Sequence, residues 1–119
     1  MARHNELGSK GEDIAVEMLS SKGYTIIERN WRFDKDEIDI VAKDGDELVI
    51  VEVKTRSTDF YGYPEDAVDS NKENFLIRAT ESYLEETNQD VDTRFDIVAI
   101  IHNNKETKIN HIIDAFYPE

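Results

Sequence analysis

The sequence predicts an α/β fold, a central mixed β-sheet flanked by helices. The elements run α-β-β-β-α-β-β, as one domain over residues 1–119. Three observations lead there. Residues 6–22 and 64–86 repeat apolar side chains at helical spacing. Five other stretches are short and rich in β-branched residues, with turn signals between them. Helices and groups of strands are mixed along the chain, which suits a sheet covered by helices. At 119 residues the chain is long enough to bury one core.

The two middle strands organise the rest. Residues 37–42 and 48–54 are apolar runs joined by the acidic segment Lys43-Asp44-Gly45-Asp46-Glu47, and Asp-Gly between such runs signals a hairpin. Three charges interrupt them: Asp39 in the first run, Glu52 and Lys54 at the end of the second. Side chains alternate along a strand, so Glu52 and Lys54 share a face and Val49, Val51 and Val53 point the other way. A two-residue loop at Asp44-Gly45 pairs Asp39 with Ile50. A four-residue loop, residues 44–47, pairs Asp39 with Glu52. Either loop puts Asp39 on the face of Glu52 and Lys54, whereas a three-residue loop without a bulge would not.

An Asp, a Glu and a Lys then converge at one strand end. Close carboxylates repel and raise one another's pKa unless a cation lies between them. With no Cys or His, the oxygen ligands suit Mg²⁺ or Mn²⁺ rather than Zn²⁺. The neighbouring ammonium would face an anion held there, which meets the needs of metal-assisted phosphodiester hydrolysis. The plainer alternative is an edge-strand charge at Asp39 with a solvated Glu52/Lys54 ion pair.

Composition bounds the function. There are no cysteines, hence no disulfide and no thiolate metal site. No apolar run approaches the ~18 residues needed to span a membrane, and the N-terminus lacks the apolar core of a signal peptide. The expectation is a soluble cytoplasmic protein with no membrane partner. The net charge of −13 argues against a nucleic-acid function. Basic residues nevertheless gather near the candidate site: Arg29, Arg32, Lys35, Lys54 and Arg56. DNA binding through them should be weak and steeply salt-sensitive.

In chain order, residues 1–5 read as a loose tail. The first helix carries Leu7, Gly11, Ile14/Ala15 and Met18/Leu19 at helical spacing, and Gly23 is a natural cap. Ser9-x-x-Glu12 has the form of a capping box, which would start the helix near Ser9. Alternatively Glu12, in register with Ala15 and Leu19, reaches over the sheet toward Asp39 and Glu52 as another metal or water ligand. Residues 24–32 form the first strand, where Trp31 fits sheet packing better than base stacking and Arg29 and Arg32 are candidate phosphate contacts. After Lys54 comes a polar, aromatic loop. Arg56 would continue the face of Lys54, and Phe60, Tyr61 and Tyr63 either stack on bases or pack a flap. The helical stretch 64–86 is broken near Asp69-Ser70, with Asp69 or Ser70 as cap and Lys72 and Arg78 facing a phosphate backbone. Residues 94–101 and 108–116 are the last strands, and His111 reads as a surface or satisfied core residue rather than a general base.

The chain resembles the YraN-type family of small bacterial proteins, placed in the restriction-endonuclease-like superfamily. The resemblance covers nearly the whole chain. It rests on Asn5-Glu6-Leu7-Gly8 with Gly11-Glu12-Asp13-Ile14-Ala15, on Lys22-Gly23-Tyr24, on Asn30-Trp31-Arg32 and on Glu37-Ile38-Asp39-Ile40. It continues through Val51-Glu52-Val53-Lys54-Thr55-Arg56, Ala67-Val68 with Lys72, and Arg94-Phe95-Asp96. It implies the superfamily's mixed sheet and a likeness to archaeal-type Holliday junction resolvases, in which a helix Glu joins the metal site. On that pattern Glu12 is the helix acid, Asp39 and Glu52 are the metal ligands and Lys54 is the catalytic lysine. The implied activity is Mg²⁺- or Mn²⁺-dependent cleavage of DNA, branched or otherwise structured, with Arg32, Arg56 and Lys72 as nucleic-acid contacts and a homodimer as a common arrangement. The alternative is a non-catalytic nuclease-fold module that binds nucleic acid or a protein partner. Departures from the pattern are Ile38 where the superfamily has Pro, Asp36 where the family has Gly, and Glu73-Asn74-Phe75 where relatives are strongly basic. Asp36 is expected to add negative charge near the site.

Overall fold

The computed structural model describes residues 6–60 and 62–118. Residues 1–5, read as a tail, and Tyr61, one of the candidate stacking aromatics, lie outside the described residues. The elements are α1 (Glu6–Ser21), β1 (Thr25–Phe33), β2 (Asp36–Asp44), β3 (Glu47–Arg56), a 3₁₀ turn (Pro64–Ala67), α2 (Ser70–Glu86), β4 (Thr93–His102) and β5 (Thr107–Phe116). The strands form one sheet in the order β1-β2-β3-β4-β5. Only β3 and β4 are parallel, and α2 supplies the crossover that a parallel pair requires. The predicted α/β mixed sheet and element order are what the chain adopts.

Each face of the sheet buries its own apolar cluster. Ala15 and Leu19 of α1 lie over Ile40, Val49, Val51, Val98 and Ile100. Leu76, Ala79 and Tyr83 of α2 lie over Ile38, Val41, Ile50, Phe95 and Ile97 on the other side. Trp31 packs edge-on against Tyr83 at 5.2 Å, a sheet-packing role.

Local signals explain the boundaries. Gly23, at φ +93°, ends α1: its N–H donates to the Ser20 carbonyl and that of Tyr24 to the Leu19 carbonyl, both at 3.0 Å. This double closure satisfies carbonyls the helix leaves open. Asp69 caps α2 by accepting from the Lys72 N–H at 3.0 Å. The capping-box expectation fails, because Ser9 and Glu12 both lie inside α1 and Glu12 is buried. Tertiary contact, not the helix start, explains Glu12.

The hairpin takes the register that faces Asp39 toward Glu52, with Ile40 opposite Val51 and Asp44 opposite Glu47. This is the register expected of the four-residue loop, but it is closed by a two-residue turn set one position on from Asp44-Gly45, at Gly45-Asp46, and Gly45 takes φ +63°. The strands then do something alternation does not foresee. Ile38 packs toward α2, but Ile40, two residues on, packs toward α1. Across the ladder, Asn30 takes φ +53° between Arg29, opposite Ile40, and Trp31, opposite Ile38. β1 and β2 are thus kinked together, level with Asp39.

Candidate active site

The kink opens a pocket of about 270 Å³ between the N-terminal parts of α1 and α2. Gly8, Glu12, Glu37, Asp39, Glu52, Val53, Lys54, Thr55 and Lys72 line it. Released from the regular ladder, the Asp39 carboxylate accepts the Val53 N–H at 2.9 Å. That bond fixes one oxygen and brings the carboxyl beside that of Glu52, within hydrogen-bonding reach.

Glu52 is only 3% exposed. Burial, followed by the Asp39 charge, pushes its carboxyl up to about 8, against the pull of Lys72 and Lys54. The Lys72 ammonium lies 3.4 Å and that of Lys54 3.9 Å from the same oxygen, Oε2. Both lysines are about one-third exposed, so each can also face a bound anion. An acidic pair flanked by two partly exposed cations is therefore the chemical content of the pocket.

Glu12 enters from α1, and the way it is held was not visible in the sequence. Asn30 Nδ2 donates to Glu12 Oε1 at 2.8 Å, and Arg29 reaches the same oxygen at 3.5 Å. The left-handed backbone at Asn30 turns its amide toward α1, and Asn is among the few residues that adopt it at modest strain. Asn30 Oδ1 is buried without a hydrogen-bond partner. Flipping the amide would set that oxygen against Glu12, so the donor orientation stands. An Asn between Arg29 and Trp31, in the middle of a strand, was the available signal. Gly11, next to Glu12, lets α1 touch β3: a Cβ built there would lie 1.8 Å from Thr55 Oγ1.

The other candidates divide. Arg56 ends β3 on the face of Lys54, as expected. Arg32 is half-exposed and pairs with Glu37, a pocket residue, at 3.4 Å. Arg29, 39% exposed, pairs with Asp13 at 2.8 Å. Arg78 is 60% exposed and also carries an acidic partner. It grips Asp36 Oδ1 through Nε at 3.0 Å and a terminal nitrogen at 2.8 Å, while Ser82 donates to Oδ2 at 2.6 Å. The Ser82 bond, then Arg78, holds the Asp36 carboxyl below its usual value despite burial. The expectation that Asp36 adds free negative charge near the site is thus corrected: α2 neutralises it. Phe60 and Tyr63, 79% and 56% exposed, project outward rather than packing as a flap.

The residues fit a hard divalent cation in chemical type. Asp39 and Glu52 offer carboxylate oxygens side by side, and a cation between them would remove the repulsion that raises Glu52. Among the described residues no group of three or more His, Cys, Asp or Glu is gathered closely enough to hold a metal ion. Glu12 shares the pocket with the pair, with Oε1 already committed to Asn30 and Arg29.

Fold and pocket define the class: a mixed-sheet α/β protein that gathers two carboxylates and two lysines where neighbouring strands part. The chain belongs to the family described as uncharacterised protein family UPF0102, whose profile matches residues 11–100. It is 53% identical to a UPF0102 protein of Christiangramia forsetii over 117 residues, 98% of each chain. It is 50% identical to one of Bacteroides thetaiotaomicron over 118 residues, 99% of this chain and 98% of that one. A UPF0102 protein of Flavobacterium psychrophilum is also 50% identical, over 117 residues and 98% of each chain. No helix among the described residues is long and apolar enough to cross a membrane.

Proposed function

We propose that this protein is a Mg²⁺- or Mn²⁺-dependent endonuclease of the restriction-endonuclease-like type that hydrolyses DNA phosphodiester bonds, with branched or structured DNA as substrate. The observation that carries this reading is the Asp39–Glu52 carboxyl pair, with Glu52 buried, in one pocket with Lys54 and Lys72. Asp39 and Glu52 would hold the cation, with Glu12 adding an oxygen from α1. When bound, the cation supplies Lewis-acid stabilisation of the phosphoryl charge and a more acidic water.

The chain's own groups do the rest. The Val53 N–H fixes the Asp39 carboxylate, and Asn30 and Arg29 orient Glu12. Lys54 donates to the attacking water and offsets charge developing on the phosphoryl oxygens. Lys72, drawn off Glu52 by a phosphate, becomes a backbone contact, joined by Arg56 along the strand and by Arg32 across the rim. Arg32 is available because an exposed pair such as Arg32–Glu37 stabilises little.

The test is metal-dependent cleavage of duplex, single-stranded, flap, fork and four-way-junction DNA at low salt, with Mn²⁺, Mg²⁺ or EDTA. Cutting that requires the metal and falls by about 100-fold or more in Lys54→Ala is expected. Unchanged cutting by that variant would sink the mechanism. The net charge of −13 favours a second reading, a non-catalytic module that binds nucleic acid or a protein partner. Calorimetric Mn²⁺ binding that vanishes in Glu52→Gln decides against it.

A further inference from the structure

A second cavity adjoins the first on the same face of the sheet. In the parallel β3–β4 ladder Lys54 lies beside Ala99 and Arg56 beside Ile101. In the β4–β5 ladder Ala99 lies opposite Asn110 and Ile101 opposite Lys108. Directly paired residues share a face, so the row that begins with Lys54 and Arg56 continues across Ala99 and Ile101 to Asn110 and Lys108. The 3₁₀ turn packs over β3 and β4 there. Between turn and strands lies a cavity of about 280 Å³. Strands are about 4.8 Å apart, so the cavity floor begins roughly 5 Å to the side of Lys54 and ends roughly 10 Å away.

Its walls have a definite chemistry. Ala99, Ile101 and Pro64 make an apolar floor and side, and Tyr63, 56% exposed as a residue, stands at the mouth. Asp59 and Glu65 supply acceptors, and Asn110 both donates and accepts; its Nδ2 bonds Glu65 Oε2 at 3.1 Å. Cations mark the two ends, Lys108 in the cavity and Arg56 on the side of Lys54. Gly62, at φ +123°, donates to the Asp59 carbonyl at 3.0 Å, and the Tyr63 N–H donates to Asp66 Oδ2 at 3.2 Å.

We infer that this cavity binds one unpaired nucleobase, next to the phosphate handled by Lys54. A cavity with an apolar floor and an aromatic ring at its mouth takes a π-face, and the acceptors meet ring and exocyclic N–H groups. Its volume lies just below that of drug-sized pockets, about 300 Å³ and upward, which suits a single base and not a base pair. Arg56 and Lys108 meet the phosphates on either side of that base. A paired base has both its faces and its edge occupied and cannot enter. The inference rests on the nuclease reading and narrows its substrate to DNA with an unpaired nucleotide beside the scissile bond.

The test uses the full chain in EDTA at low salt with an oligonucleotide carrying 2-aminopurine, either single-stranded or annealed into a duplex. Single strand should bind and its fluorescence should be quenched. Tyr63→Ala should bind roughly 5- to 100-fold more weakly and lose the quenching, while Tyr63→Phe keeps both. Wild-type and Tyr63→Ala proteins that behave alike, a duplex that binds as well as the single strand, or no binding at all overturns the inference. No cleavage is read, so the nuclease reading stands or falls separately. Cutting of DNA with unchanged Tyr63→Ala binding removes only the base slot, and quenching by a protein that cuts nothing removes only the nuclease.

Discussion

Two buried carboxylates on neighbouring strands, one register position apart and on opposite faces of the sheet, are treated in opposite ways. Asp96, on β4, is only 1% exposed and accepts five hydrogen bonds. They come from Arg94 Nε and a terminal Arg94 nitrogen, Tyr24 Oη, His111 Nε2 and the Asp114 N–H. Burial alone would push its carboxyl up, but the bonds from His111 and Arg94, with the Asp114 N–H, pull it down to about 2. Arg94 also reaches Asp44 and Glu47 at 3.0 Å, tying the β2–β3 turn to β4. Of the surface and satisfied-core readings of His111, the second holds: its side chain is 3% exposed, with Lys22 Nζ at 2.9 Å from its Nδ1. Glu52 is nearly as buried, yet it faces another carboxylate and two loosely placed lysines, and it is pushed up to about 8. A chain able to satisfy one buried acid so fully has left the other in want of a cation. That contrast separates a structural network from a site with chemistry to do.

The largest effect that would break the contrast is at Asp96. Asp96→Ala leaves Arg94 buried without its main partner, and a loss of about 3–5 kcal/mol is expected in denaturant unfolding. A loss under ~1 kcal/mol would mean that the network is ornamental.

Glu52→Gln should act in the opposite direction, stabilising the fold by on the order of 3 kcal/mol near pH 8.5 without metal. The sign follows from the protons. The unfolded Glu52 loses its proton near 4.5 and the folded one near 8. Wild-type stability should therefore fall as pH rises from about 4.5 to 8 and level off above. The Gln variant removes that contribution to the slope. For Asp96 the stabilisation is complete above about 3.8 and is lost as pH falls through about 2. A pH titration of unfolding free energy in the two proteins checks both windows, and identical slopes between pH 5 and 8 would refute the reading of Glu52.

The smallest effect is at Asn30. Asn30→Gly keeps the left-handed backbone and loses the bond to Glu12, at about 1 kcal/mol. Asn30→Ala adds roughly 1–2 kcal/mol of backbone strain. Thermal unfolding should rank them wild type, Gly, Ala; an Ala variant as stable as the Gly variant would show that the backbone is not constrained there.

What the sequence revealed and what it hid follow from range. The hairpin parity, the stripe through Leu76, Ala79 and Tyr83, and the breaks at Gly23 and Asp69 are local patterns with fixed periods, and they were legible. The facing of Asp39 toward Glu52 was legible for the same reason. The Arg78–Asp36–Ser82 cluster joins residues more than 40 positions apart, and no period links them. The Asp96 network gathers Tyr24, Arg94 and His111 from three strand regions, which only the assembled sheet brings together. Ser9-x-x-Glu12 misled because a capping box and a buried helix acid share one spelling.

The contact between Gly11 and Thr55 bears on the size of the pocket. α1 sits against β3 at Gly11, which has no side chain; Gly11 directly precedes Glu12 and its contact, Thr55, directly follows Lys54. A bare α-carbon acts as a shim of zero thickness. Adding even a methyl group would drive a wedge between helix and strand and carry Glu12 away from the acids on the sheet. The reach of one charged group is thus set by the absence of a side chain on its neighbour.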